Sequence, residues 1–494
     1  MWSAAEPGRI DPHQETSIFP SQVFVPLYSG LLQWDDRDPA SQKTIADLAT
    51  DWSTSKDGLA LTLKLRTGVK LHSGDTFTAE DAKFSIERIM NPPAGVVSPW
   101  KSLWDGVTAI EAPDPQTVTI KLKEPKPLLM QLLAWPYTAM VSKKQLQADP
   151  LAIVGQGNGT GPFRFKEWRK GVSIELARNP DYYEKGRPYM DGIKWLVVTD
   201  ASTQFAAFRT GQLVMTGFGT RGLFVSELRT LQREMPDAQT WQYDCGCSGR
   251  LLLNVQKPPL DNKMVRQAIL KVIDVQKVID LAYQGVGRKG GFIAPGFWSL
   301  PEEELNRIYP PFRGPTNQDI EDAKKLLAQA GYPSGLTVSY VQATLAGYEE
   351  QQIASTSQMQ KIGVKVNVRV QQWPGAMTAA VQRGDFDIVD WPTLGTIYDP
   401  DIYFSPFVSD SFQNYGKYKN PEVDRLFAQQ SRELDPQKRK ALVNQMERIV
   451  IDDAPAVQHV HRQYLHAARP AVKNYVGPGT LYSNLKWTNV WLDK

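Results

Sequence analysis

Cysteine is nearly absent: 494 residues carry two, Cys245 and Cys247. One residue apart, they are badly placed for an unstrained bridge and bring no further ligands for zinc, so ordinary thiols are expected. Histidine is almost as scarce, with five. His459 and His461 share a face if their segment is extended, but there is no third ligand and no HExxH spacing, so no metal is expected. No GxSxG elbow occurs and no catalytic residue is nominated. No window approaches the roughly 20 apolar residues that span a bilayer. Charge of one sign is missing too: 56 basic and 53 acidic residues leave +3, mixed along the chain, which argues against a nucleic-acid partner. Met1 to Pro7 shows no basic region followed by an apolar stretch, so the chain is either cytosolic or read without its secretory leader. Nothing repeats at 20–50 residues, which disfavours a solenoid.

Two glycine-rich stretches lack the context that chemistry needs. Gly285, Gly287 and Gly290 spell GxGxxG, but a helix precedes them, the reverse of a dinucleotide site. Gly155, Gly157, Gly159 and Gly161 have no Lys-Ser/Thr of a phosphate loop. Both read as turns.

What is present is a mixed α and β pattern in a chain long enough for roughly three packing units at about 150 residues each. Leu59, Leu61, Leu63 and Leu65 alternate with wetter residues, as do Val118, Ile120 and Leu122, so both stretches read as strands. Thr78-Ala79-Glu80-Asp81 resembles a capping box and predicts a helix that stops at Pro92. Thr160–Phe165 and Val172–Leu176 read as paired strands, and Ala201–Thr210 as a helix closed by Gly211. Met264–Gln284 reads as one long amphipathic helix. Asp319–Ala330, Gly347–Ile362, Pro421–Leu434 and Pro436–Ile451 read as helices, and Leu336–Val341, Val364–Val370 and Tyr464–Ala468 as strands. Helix and strand alternate there as βαβ units do. The chain is also rich in large rings, with 14 Trp, 18 Tyr and 18 Phe, several in Pro/Gly-rich connections where they can line a cleft.

Several stretches together carry a resemblance. They are Ile10-Asp11-Pro12 with Leu27-Tyr28-Ser29-Gly30-Leu31, Ile45-Ala46-Asp47-Leu48-Ala49 with Trp52, Leu65 to Gly74, and Thr78 to Ala82. Further on come Gly159-Thr160-Gly161-Pro162-Phe163, Arg178 to Tyr183, Asn254 with Val265-Arg266-Gln267-Ala268-Ile269, Asp399-Pro400-Asp401, and Asn420 to Asp424. In this order the chain resembles the family 5 (peptide/nickel class) solute-binding proteins, extracytoplasmic receptors of ABC importers.

The resemblance implies an α/β, two-lobed periplasmic-binding-protein fold (type II, cluster C) that encloses its ligand between lobes. Residues 1–44, 157–250 and 466–494 would form the first lobe, 45–156 a subdomain inserted in it, and 251–465 the second lobe. It implies a trimmed leader and a periplasmic location. It also implies a small-molecule or peptide ligand, ABC permease transmembrane subunits as partners, a monomer that does not itself span the membrane, and no cofactor.

Carried over residue by residue, it nominates Thr16, Ser17, Ile18 and Phe19 after the Asp-Pro, and Trp100 with Trp104 after Ser98-Pro99. Cys245, Cys247, Ser248 and Arg250 lie near the crossover. Trp373, Asp390, Trp391, Thr393, Gly395, Thr396 and Tyr398 form the second lobe's share. Thr396 stands where similar peptide receptors commonly hold an Asp for the peptide's ammonium, and a hydroxyl cannot neutralise a buried cation. Gln342-Ala343-Thr344 shows no Arg for a terminal carboxylate. A modified or longer peptide is therefore expected over a free dipeptide, with an opine- or oligosaccharide-like ligand or a nickel or haem complex as alternatives. A hydrolase using the cleft is the rival of a different class.

Overall fold

The computed structural model describes residues 2–3, 6–16, 21–38, 41, 43–217, 222–344, 347–373, 375–394, 397–477, 479 and 485–493. They form two compact units, one of residues 1–243 and 464–494, the other of residues 244–463.

In the first unit the leucine alternation becomes the strand Ala60–Leu65, with Leu61, Leu63 and Leu65 buried. It pairs antiparallel with Ala49–Thr54 and Thr117–Leu122, and Val107–Asp114 completes a four-stranded sheet. The helix Ala79–Met90 starts where the Thr78 box places it: Asp81 Oδ2 accepts the Thr78 backbone N–H at 2.9 Å. Its Ala82, Ile86 and Ile89 have no exposed surface. A second sheet joins Phe163–Arg169, Ser173–Arg178 and Gly192–Val197, with Trp2–Ser3 along its edge. Gly159 and Gly161 tuck under the 26–28 backbone so closely that a Cβ on either would lie 2.4 Å from a carbonyl oxygen. The glycines there are a packing requirement, as a structural turn demands.

The second unit is built on a six-stranded mixed sheet in the order Gly287–Arg288, Ala456–Ala468, Gln239–Leu253, Ile388–Leu394, Leu336–Ala343, Val364–Gln371. Leu336–Ala343 and Val364–Gln371 run parallel in full register, joined through the helix Tyr348–Met359 as a βαβ unit requires. Both unit boundaries fall inside strands, Gln239–Leu253 and Ala456–Ala468.

Two expectations are corrected. The single helix over 264–284 is two, Lys263–Val272 and Val275–Tyr283. Ile273 turns extended, and Asp274 caps the second helix by accepting from the amides of Gln276 and Lys277. The apolar period continues across the break, so periodicity alone could not reveal it. The cysteines are not ordinary thiols: Cys245 and Cys247 form a disulfide. Gly246 between them has φ 68°, and this left-handed residue brings the Cα atoms to 5.2 Å, within the range a bridge requires.

Candidate functional site

Of the residues nominated in the first unit, Thr16, Trp100 and Trp104 are described, and Trp100 lies in a group of rings. Its indole lies edge-on to Trp135, with centroids 4.6 Å apart at 79°, and 5.2 Å from Tyr137. Its Nε1–H donates to the Glu15 carbonyl at 3.1 Å, which ties it to the segment carrying the exposed Thr16. Trp100 itself is partly exposed, whereas Trp104 is buried and offers no surface to a ligand. Ser17, Ile18 and Phe19 lie outside the described residues.

The Asp-Pro aspartate beside them is occupied. Asp11 takes Arg88 in a two-pronged pair at 3.1 and 2.6 Å, with both side chains buried. The Arg88 guanidinium also meets His13 Nδ1 at 3.0 Å, while His13 Nε2 meets the Ala139 carbonyl at 2.8 Å. Guanidinium nitrogen can only donate, so His13 is the neutral tautomer with its proton on Nε2. Burial holds its pKa down at about 4.

In the second unit Trp391 sits between two other rings, 5.8 Å from Trp373 and 5.2 Å from Tyr415, all three partly exposed. Together they form a stepped aromatic face in which Trp391 stands on an interior strand of the sheet and Trp373 and Tyr415 come from connections beside it. The neighbours of Trp391 turn inward. Arg250, its register partner, has no exposed surface. Arg250 donates to Gln458 Oε1 at 2.8 Å, the Phe292 carbonyl at 2.7 Å and the Tyr403 carbonyl at 3.3 Å.

Asp390 is 1% exposed, accepts from the Tyr340 hydroxyl at 2.5 Å and lies 3.2 Å from His459 Nδ1. His459 Nε2 is in turn 3.2 Å from Ser355 Oγ. The order is that of a Ser-His-Asp relay, but His459 Nδ1 and Asp390 Oδ1 make no hydrogen bond among the described residues, and Ser355 and His459 have no exposed surface, so no substrate reaches the hydroxyl. His461 goes elsewhere, to the Gly291 carbonyl at 2.9 Å. The two histidines serve separate partners.

Tyr398 is partly exposed, with its hydroxyl 3.1 Å from the Ala294 carbonyl. Cys245, Cys247 and Ser248 are buried. Thr393 is described only by its backbone, paired with Ser248, and Gly395 and Thr396 lie outside the described residues.

The described nominated tryptophans Trp100 and Trp373 with Trp391 thus fall in two aromatic clusters, one in each unit. Three of their members escaped the sequence reading. Trp135 and Tyr137 directly follow the helix Leu128–Ala134 and carry no motif that marks them. Tyr415 lies 24 positions from Trp391 in a segment without periodicity, so nothing local signalled it.

Residues 43–415 match the bacterial extracellular solute-binding proteins, family 5 Middle. The chain belongs to this family. Among curated family members it is similar to heme-binding protein A of Haemophilus influenzae, 27% identical over 458 residues that cover 87% of this chain and 81% of that one. It is also similar to the periplasmic oligopeptide-binding protein OppA of Escherichia coli, 26% identical over 516 residues covering 100% and 92%. Among solved structures, the periplasmic binding protein DppA of Helicobacter pylori in complex with the peptide STSA superposes with a TM-score of 0.80. It is 26% identical, with 99% of this chain and 97% of that one covered. The fold is therefore the periplasmic-binding-protein fold of family 5 receptors. Family 5 proteins bind solutes outside the cytoplasm, and no helix among the described residues is long and apolar enough to cross a membrane.

Proposed function

We propose that this chain is the periplasmic receptor of an ABC importer, capturing a peptide or peptide-like solute and handing it unaltered to transmembrane permease subunits. The observation that carries this reading is the aromatic step Trp373–Trp391–Tyr415: partly exposed rings centred on a strand of the sheet, where the nearby Ser355, His459 and Asp390 are sealed inside. Rigid rings give large contact area at little entropic cost and tolerate varied side chains. The relatives that bear peptide-binding names support the ligand class. Thr396, in place of an ammonium-pairing Asp, favours a modified or longer peptide.

Thermal shift with a panel of peptides, opines, oligosaccharides and nickel tests the reading. A ligand well above its dissociation constant raises the unfolding midpoint, and peptides are expected to do so. Turnover of a peptide with no shift from any ligand would overturn it. Trp391→Ala is expected to weaken peptide binding by roughly 30-fold, the loss typical of a buried aromatic anchor, with the unfolding midpoint of the free protein little changed. Trp100→Ala, measured by the same titration, is expected to weaken binding as well. Unchanged affinity in both variants would remove the two aromatic clusters from the site.

A further inference from the structure

The strands Gly287–Arg288, Ala456–Ala468, Gln239–Leu253 and Ile388–Leu394 lie side by side in the second unit's sheet. Register partners on neighbouring strands present their side chains on the same face. Arg250 pairs with Trp391, and Arg288 with His461. Arg250 and His461 in turn reach adjacent carbonyls, those of Phe292 at 2.7 Å and Gly291 at 2.9 Å. Arg288, His461, Arg250 and Trp391 therefore share the face that carries the aromatic step.

The charges on this face do not balance. Arg250 has no exposed surface, and every group it donates to, Gln458 Oε1 and the carbonyls of Phe292 and Tyr403, is neutral. A buried guanidinium ordinarily faces a carboxylate, because an unpaired charge is costly to take out of water. The carboxyl that acts most on Arg250 is Glu447. Burial raises Glu447 to about 7, and it is turned to the amides of Ile293 and Leu300, so near neutral pH it supplies only part of a negative charge.

Arg288 is the accessible cation of the same face, with its side chain 42% exposed. Its Nη1 donates to Asp244 Oδ2 at 2.7 Å, whereas Nε and Nη2 have no partner among the described residues. Nε–H and Nη2–H form the side-on fork of a guanidinium, two parallel donors spaced to match the two oxygens of one carboxylate. Two guanidinium groups thus stand over one paired carboxylate, Asp244. The charges of Arg288 and Asp244 both reach the hydroxyl of Tyr398, a partly exposed residue nominated for the ligand.

On the receptor reading given above, we propose that Arg288 is a specificity-determining residue that selects solutes carrying a carboxylate, which docks on its free Nε–Nη2 edge while Nη1 stays on Asp244. Arg250, sealed behind, adds a positive field that favours the same charge and disfavours a cation at that place.

Calorimetric titration of the intact protein at low ionic strength tests this with tetra-alanine as the free acid, tetra-alanine amide, and Ala-Glu-Ala-Ala amide, whose carboxylate is on a side chain. At least one of the two carboxylate peptides is expected to bind at least tenfold tighter than tetra-alanine amide, and which one does so identifies the source of the carboxylate. Arg288→Gln should lower the affinity for that peptide at least tenfold and leave that for tetra-alanine amide unchanged. Arg288→Lys keeps the charge without the fork and should lose several-fold, with the same preference retained. Trp391→Ala should weaken all three peptides alike, since an aromatic contact does not read the charge. Equal affinity for carboxylate and amide, a loss in Arg288→Gln that the amide shares, or no binding by either carboxylate peptide would overturn the proposal. In the first two of these cases peptides still bind, so the receptor reading stands while the role of Arg288 falls.

Discussion

Asp11→Asn is expected to lower the stability of the first unit by about 3–5 kcal/mol, the usual cost of leaving one member of a buried ion pair without its counter-charge. Arg88 in the variant would keep a full cation with its side chain 1% exposed. Its remaining contacts, His13 Nδ1 at 3.0 Å and the Pro150 carbonyl at 3.1 Å, are neutral. Chemical denaturation followed by tryptophan emission reads the loss. The double variant Asp11→Leu with Arg88→Met, which removes both charges, should recover much of it, since an apolar pair of similar volume is often as stable as a buried bridge. An unchanged midpoint for Asp11→Asn would show that the pair does not hold the unit together. The same variant tests whether the Asp-Pro aspartate acts on a ligand directly: with binding measured below the unfolding transition, affinity should be retained.

Acid is expected to unfold the first unit ahead of the second. Burial lowers the pKa of His13 and His72 to about 4 and of His466 to about 3. Burial outweighs the contacts that favour the proton, such as the Gly161 carbonyl at His72 Nε2 and Thr216 at His466 Nδ1. A histidine whose folded pKa is depressed binds fewer protons in the folded than in the unfolded state. Its contribution is therefore whole above pH 6.5 and disappears as the pH falls toward 4, at up to about 3 kcal/mol for each residue.

The second unit has one such histidine, His461, at about 4, and an opposing group. Burial raises Glu447 to about 7, with its carboxyl set against the amides of Ile293 at 3.3 Å and Leu300 at 3.2 Å. An acid with a raised pKa holds its proton longer when folded, so its contribution falls as pH rises from 4.5 to 7 and grows on acidification. The two terms oppose each other, and the second unit should lose little between pH 7 and 5. Glu447→Gln removes the compensation and should make that unit acid-labile as well. Hydrogen exchange resolved by peptide, run from pH 7 to 4.5 with intrinsic rates corrected, checks the order. Simultaneous loss in both units, or a second unit that opens first, would contradict it.

How much of this could be read in advance differs residue by residue. Thr78 to Pro92 was legible because the start, the period and the stop all lie in fifteen consecutive positions, and the strand 60–65 because a leucine recurs every second residue. The helix break at Ile273 was hidden because the side chains on either side still suit a helix. The disulfide was hidden because the i, i+2 spacing rules out a bridge only for ordinary extended backbone, and Gly246 is not extended. Resemblance nominated Arg250 near the crossover and Asp390 and Trp391 in the second lobe, and the structure sets them on paired strands. It could not say that the first two are buried while the third is partly exposed: Asp390 takes the opposite face of the strand from Trp391, whereas Arg250 stands across from Trp391 on the same face and is covered by tertiary packing from Phe292, Tyr403 and Gln458. Tyr415 and Trp135 join their clusters only through tertiary packing.

The segments that mark the family are consumed by architecture. Asp11 clasps Arg88, Gly159 and Gly161 let one segment pass beneath another, Asn179 holds the Gly161 carbonyl, and Asp399 grips Arg439 at 2.6 Å. Trp373, Trp391 and Tyr415, which remain partly uncovered, belong to none of these motifs. Scaffold and taste are therefore written in different letters of the sequence. A lineage could exchange Trp373, Trp391 or Tyr415 and so change its diet without relearning how to fold, and a laboratory wishing to retarget uptake should begin with those three positions.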